Sequence, residues 1–292
     1  MSGHFTRFAA IDWSGAKGSK HKGIALALCE AGDAAPRLIV PPPGVWSRRA
    51  IADWIVAQAD EPILIGMDFS FAPPWILRRA YLPGSDAPSD AVMFWRWVDA
   101  ACNDEDYGAA SLLESLHRLH FYFGAADGTK ADYMHLRQCE LLYNAQGGGK
   151  PSSIFDVIGA AQVAKASFAG MRVLHAVNHQ VPVWPFDPKP THGGLIVEIY
   201  TTIAARAAGI RKGLSKIRDA ATLDTALGVF ECRPHIPLDR YDDHATDAIL
   251  TAAWLRANAK NDELWHPPAL TSEIAQTEGW TFGVSARMAP PI

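Results

Sequence analysis

Five side chains in this 292-residue sequence are of the types and placement that could handle a divalent cation: Asp12, Asp68, Glu198, His244 and Asp247. Asp12 closes the apolar run FTRFAAIDW and Asp68 closes ILIGMD, while Glu198 lies inside GLIVEIY. His244 and Asp247 fall in DDHATDAIL, three positions apart, and Asp243 and Asp247 are four apart, so either pair shares a helix face. Two bare carboxylates about 4 Å apart repel by roughly 4 kcal/mol at an effective dielectric near 20. Such a cluster is tolerated when one group holds a proton or a cation sits between them. Oxygen-rich sites suit Mg²⁺ or Mn²⁺, and two such ions about 3.5–4 Å apart can clamp the attacking and leaving oxygens of a phosphodiester. Singly, Asp12 can just end a strand and Asp68 can open the Asp-Phe-Ser-Phe turn. Glu198 is harder to explain away, because a carboxylate in an apolar strand is costly unless paired or liganded. Asp242 and Asp243 read as helix-capping residues.

The elements that must position these groups follow from the apolar pattern. Residues 5–13, 23–29 and 37–40 read as three strands joined by short connections, which suits an antiparallel meander. Ser47 can cap a helix over 47–59, and residues 63–68 form a nearly unbroken apolar run that suits a central strand. If the first and fourth strands lie side by side and parallel, Asp12 and Asp68 emerge together at the carboxyl edge where ligands gather in α/β sheets. Residues 73–144 read as a helical insertion, with helices near 91–98 (capped by Ser89 or Asp90), 108–119 and 131–143. Strand character returns at 171–177 and 194–200, followed by helices at 201–208 and 219–229 and by a last helix opening at Asp242 or Asp243. The tail 270–284 reads as irregular structure with a short strand. The expectation is one α/β domain over 1–292.

The bulk composition bounds the function. A hydrophobic fraction of 49% and a charged fraction of 20% are ordinary for a globular core. Cys29, Cys102, Cys139 and Cys232 form no C-x-x-C pair, which argues against a structural zinc site. With no signal-like leader and no apolar run of membrane length, the expectation is a cytoplasmic protein without a membrane partner. The formal net charge of −4 makes any phosphate-binding surface local, and Lys17, Lys20 and Lys22, with Arg211 and Lys212, are the candidates for it. The cluster Phe94-Trp95-Arg96-Trp97 could stack bases, though buried packing explains it better. Gly147-Gly148-Gly149-Lys150 lacks the flanking residues of a nucleotide-binding loop and reads as a turn.

The ordered set AIDWSGAKGSKHKGIALA, ILIGMDFSFAPP, VWPFD, LIVEIY, DDHATDAILTAAWL and EGWTFGV resembles the DUF429 family of predicted ribonuclease H-like nucleases, from about Thr6 to Val284. The resemblance implies a mixed five-stranded sheet flanked by helices, with the first three strands antiparallel. It implies two-metal roles for Asp12, Asp68 and Asp247. The His-x-x-Asp arrangement of His244 and Asp247 is similar to the last-helix motif of some RuvC-type Holliday junction resolvases. Glu198 matches the family's Glu-x-Tyr/His strand. The helix over 47–59 offers only Asp53 where ribonuclease H proper has a glutamate, so specificity for RNA–DNA hybrids is not implied.

The leading expectation is therefore a metal-dependent nuclease acting on nucleic acid. Asp12 would bridge two Mg²⁺ or Mn²⁺ ions, Asp68 and Asp247 would each complete one, and His244 or Glu198 would be a further ligand or proton-transfer group. Two alternatives stand beside it. In an actin-like ATP- or phosphate-binding enzyme, Asp12-Trp13-Ser14-Gly15 would be a phosphate loop. In a catalytically silent binding module, the insertion, with Arg137 and Glu140, would be a partner surface or a lid.

Overall fold

The computed structural model describes residues 4–158, 162–210 and 217–285. Its centre is a mixed sheet ordered β3-β2-β1-β4-β6-β5. Strands β1 (Arg7–Asp12), β2 (Ala25–Glu30) and β3 (Arg37–Ile39) form the expected antiparallel meander. β1 pairs in parallel with β4 (Ile63–Met67), which pairs in parallel with β6 (Leu195–Glu198). The expected five strands become six. The added strand β5, Val183–Trp184, lies within what reads as a loop, is only two residues long, and pairs in parallel with β6.

The sheet separates two cores, and strand alternation decides which side each residue serves. Ala9, Ile11, Ile65, Met67 and Ile196 face one side, with α1 (Arg48–Val56), α2 (Ala91–Ala101) and α4 (Val163–Val177). Phe8, Ala10, Leu64, Leu195 and Val197 face the other, with α5 (Thr201–Ala207), α6 (Ala220–Gly228) and α7 (Asp243–Asn258). α7 lies across β1 and β2. At the centre of β4, Gly66 admits this packing. A Cβ there would stand 2.7 Å from Ile199 Cγ2 and 2.9 Å from Leu255 Cδ1 of α7.

Helix starts follow their capping side chains. Ser47 accepts from Ala50 N at 3.0 Å, Asp90 from Met93 N at 2.9 Å, Asp219 from Thr222 N at 2.8 Å and Asp242 from Ala245 N at 3.0 Å. Residues 171–177, expected as a strand, are instead the second half of α4. Within it Met171, Arg172, Val173 and Leu174 are buried in succession, and a short continuously buried run reads alike in strand and helix.

The insertion is less helical than expected. Residues 108–119 hold a π-helical turn, Leu112–Leu116, and a 3-10 turn, Arg118–His120. Further 3-10 turns at Ala125–Asp127 and Lys130–Tyr133 are broken by Gly124 and Gly128, whose positive φ no continuing helix accommodates. After α2 a regular helix resumes only at α3 (Gln138–Ala145), where Glu140 reaches back to Arg137 N at 2.9 Å. Phe94 and Trp95 are fully buried, as packing rather than base stacking requires. In the tail, α8 (Asp262–Trp265) and α9 (Ser272–Thr277) precede a single bridge between Thr281 and Glu198. Among the described residues no helix is long and apolar enough to cross a membrane.

Candidate functional site

The register settles which acids meet. Ile11 pairs with Met67, and Asp68 N donates to Ile11 O at 3.0 Å, so Asp12 and Asp68 leave adjacent parallel strands side by side. Counting back along each strand, both fall on the parity of Ala10 and Leu64, the side that α7 covers. From the first turns of α7 come His244 and Asp247. All four line one cavity of about 490 Å³ at the carboxyl edge of the sheet.

Glu198 lines the same cavity, but its carboxylate is engaged differently. It is level with Met67, not with Asp68, and shares the parity of Ile196, so its side chain leaves the opposite face of the sheet. There Arg137 grips it with two hydrogen bonds, Nη1 to Oε2 at 2.7 Å and Nη2 to Oε1 at 2.5 Å. Phe71 N donates to it at 2.8 Å, and the Thr281 hydroxyl donates to its other oxygen. Arg137 Nε also donates to Glu140 Oε1 at 2.9 Å. Nearby, the buried Glu278 accepts from Trp75 N, Ile76 N and Gln138 N at 2.6, 2.8 and 2.7 Å. The carboxylate expected to need a ligand has an arginine. Arg137 and Glu140, expected on a partner surface or lid, are buried in this network.

The electrostatics of the other cluster differ. Asp68 keeps part of its surface toward the cavity but is otherwise enclosed by protein. Burial first, then the negative charge of Asp12, push its pKa well above the usual carboxylate range; Asp247 adds to the rise. The Thr201 hydroxyl, donating to Asp68 Oδ2 at 3.1 Å, opposes it. Asp12 binds His244 through Oδ2 and Nδ1 in a short contact, and this hydrogen bond is the main cause of the raised pKa of His244. Burial of the imidazole opposes that rise, and the charges of Asp12, Asp242 and Asp243 support it. Asp243 pairs with Arg218 at 2.5 Å, in keeping with a capping role.

No protein-family model, curated protein or solved structure matches this chain. The chemistry of the site therefore has to be read from its own residues. Its donors are carboxylate oxygens and one imidazole, the kinds that Mg²⁺ and Mn²⁺ accept, and a cation among them would relieve the repulsion that raises Asp68. Among the described residues, no three His, Cys, Asp or Glu side chains are already closed around one metal position.

Among the described residues, the lysines expected to hold phosphate are not in the lining of the cavity. Lys17, Lys20 and Lys22 are exposed on the turn after β1 and outside its lining, and Lys17 pairs with Glu114 of the insertion at 2.7 Å. Arg211 and Lys212 lie outside the described residues. A residue that the sequence pattern did not flag shapes the wall instead. The buried Arg48 donates through Nη2 to Ser14 O at 2.9 Å and Ala16 O at 2.6 Å, fixing the loop after β1. Asp106 of the insertion holds Arg48 in turn, accepting from Arg48 N and Arg49 N, both at 2.9 Å. Gly15 on this loop lies so close to α4 that a Cβ would stand 2.4 Å from Ala166 N.

Proposed function

We propose that the cavity is the active centre of a divalent-metal-dependent phosphodiester hydrolase on a ribonuclease H-like fold, of the DUF429 kind that the sequence resembles. The observation that carries this reading is the crowding of Asp68 by Asp12 and Asp247, from three separate elements, at the carboxyl edge of a mixed sheet in which β1 and β4 are parallel neighbours. Asp68 and Asp247, with the Asp12 oxygens, would hold Mg²⁺ or Mn²⁺. When bound there, such ions lower the pKa of water and offset charge on the phosphate. The chain's own contribution is orientation. Thr201 fixes Asp68, and Asp12 fixes the His244 ring through Nδ1, leaving Nε2 to exchange a proton. Glu198 takes no part in this scheme, since its ion pair with Arg137 builds the wall.

The test is hydrolysis of single-stranded, duplex and branched DNA and RNA with Mn²⁺ or Mg²⁺ present and after chelation. Removing one preorganised electrostatic group commonly costs about 100-fold or more in rate, and Asp68→Asn is expected to lose at least that. Activity that survives both chelation and Asp68→Asn would end the proposal.

A second reading, a binding module without turnover, draws on the engagement of Asp12 by His244 and on the lack of a closed metal cage among the described residues. Thermal stabilisation by Mn²⁺ that Asp68→Asn abolishes, with no substrate cleaved, would favour it.

A further inference from the structure

We infer that the pocket takes a short phosphodiester, a dinucleotide-sized molecule or the free end of a single strand, and excludes internal bonds of a duplex. This rests on the hydrolytic reading above and specifies its substrate. Three independent features lead to it.

The first is size and enclosure. About 490 Å³ falls within the usual range of small-ligand sites, roughly 300–1,000 Å³. A B-form duplex is wider than its own major groove of about 12 Å, so its internal phosphates reach the acids only if a wall is low or swings aside. Two parts of the wall are tied down. On one side, Arg137 and Tyr143 of the insertion are buried, and Arg137 joins the insertion to β6 through Glu198. Glu278 holds both ends of the insertion through Trp75 N, Ile76 N and Gln138 N. On the other side, Arg48 clamps the loop carrying Ser14 and Ala16. This insertion is a wall rather than a lid.

The second feature is charge. Proteins that track a duplex neutralise about 6–10 phosphates with Lys and Arg. Among the described residues no lysine lines the cavity, and the arginine that does, Arg137, has its guanidinium committed to Glu198 and Glu140. Such a lining, among the described residues, suits one or two phosphates with their cations better than a run of them.

The third feature is the apolar part of the lining. Of the aromatic residues around the cavity, Tyr200 keeps part of its surface exposed, and it meets the buried Tyr143 edge to face at 5.6 Å. Aromatic surfaces of this kind hold single unstacked bases without demanding a sequence; a paired base inside a duplex has no free face to offer them.

The experiment uses the full chain in Mn²⁺ with three probes: a thymidine dinucleotide, a linear single-stranded oligonucleotide labelled at one end, and a covalently closed duplex circle. A parallel calorimetric titration of the dinucleotide in Ca²⁺, with the circle as competitor, reads binding without turnover. Pocket discrimination of about 100-fold or more in favour of the dinucleotide and the strand end over the circle is expected. A circle nicked as fast as the dinucleotide is cut would overturn the inference while leaving the hydrolytic reading intact. If nothing is cleaved but the dinucleotide binds and the circle does not displace it, the size assignment stands and the hydrolytic reading falls. A dinucleotide that is neither bound nor cleaved overturns the inference outright.

Discussion

Two groups of buried acids flank the strands β1, β4 and β6, and their surroundings differ in kind. Glu198, Glu140 and Glu278 sit among donors: a bidentate arginine, a threonine hydroxyl and backbone amides from distant segments. Asp68, one residue beyond the end of β4, has the hydroxyl of Thr201 but stands among other acids. The first arrangement is how a fold uses charge to join segments. In the second, burial and then the neighbouring carboxylates raise the pKa of Asp68, an arrangement that suits recruitment of a ligand. The kind of charge that faces each acid therefore distinguishes the two groups.

The largest expected effect tests the scaffold half. Arg137→Met leaves Glu198, 2% exposed, without its counter-charge, and breaking a buried pair from one side costs about 3–5 kcal/mol. Urea unfolding should show that loss, and the double variant Arg137→Met/Glu198→Gln should recover much of it. A single variant as stable as the parent would erase the distinction. Next in size is the response to metal. An ion present at 100 times its dissociation constant stabilises the folded chain by about 2.7 kcal/mol, so the melting temperature should rise with Mn²⁺. The rise should disappear in Asp68→Asn/Asp247→Asn and after chelation.

A smaller effect of opposite sign is expected for Asp68→Asn without metal. A carboxyl whose folded pKa is raised holds its proton more tightly in the folded chain. Stability therefore falls as pH climbs from the unfolded carboxylate range to the folded value, and stays reduced above it. Above that value the variant should be more stable than the parent, and its pH profile flatter. A destabilised Asp68→Asn at alkaline pH would place Asp68 with the scaffold. The finest test is His244. Its folded pKa lies above the ordinary 6.5 because Asp12 binds its ring. The stabilisation is present below the unfolded value and lost as pH rises through the folded one. NMR titration of the imidazole should show a lower pKa in Asp12→Asn.

Much of the frame was legible because local rules determine it. Ser47 and Asp242 cap the helices they precede, the short connections force the antiparallel start, and the apolar run ending at Asp68 is the central strand. Asp12 and Asp68 could be brought together once those two strands were taken as parallel neighbours. The strand reading of 171–177 fails because a short run buried in succession, here 171–174, looks the same in strand and helix. The partner of Glu198 is hidden for a different reason. The cost of this carboxylate in an apolar strand is real, but Arg137 stands 61 positions away, and no spacing rule connects an insertion to a strand across that distance. Parity would have helped: given the register, Glu198 aligns with Met67 and so faces away from Asp12. Arg48 and Glu278 were silent because their partners are mostly backbone groups of remote loops.

Under the metal-dependent reading proposed above, the bare α-carbon of Gly66 bears on which ion the cavity would prefer. Because nothing projects there, α7 can settle against the middle of the sheet through Leu255, and the same helix carries Asp247 toward Asp68. One absent methyl group thereby helps set the gauge between helix and strand. Mg²⁺ demands oxygens at about 2.0–2.1 Å, whereas Ca²⁺ tolerates about 2.3–2.6 Å. A chain with alanine at this position would have to ride higher on its helix, and its preference would drift toward the larger ion.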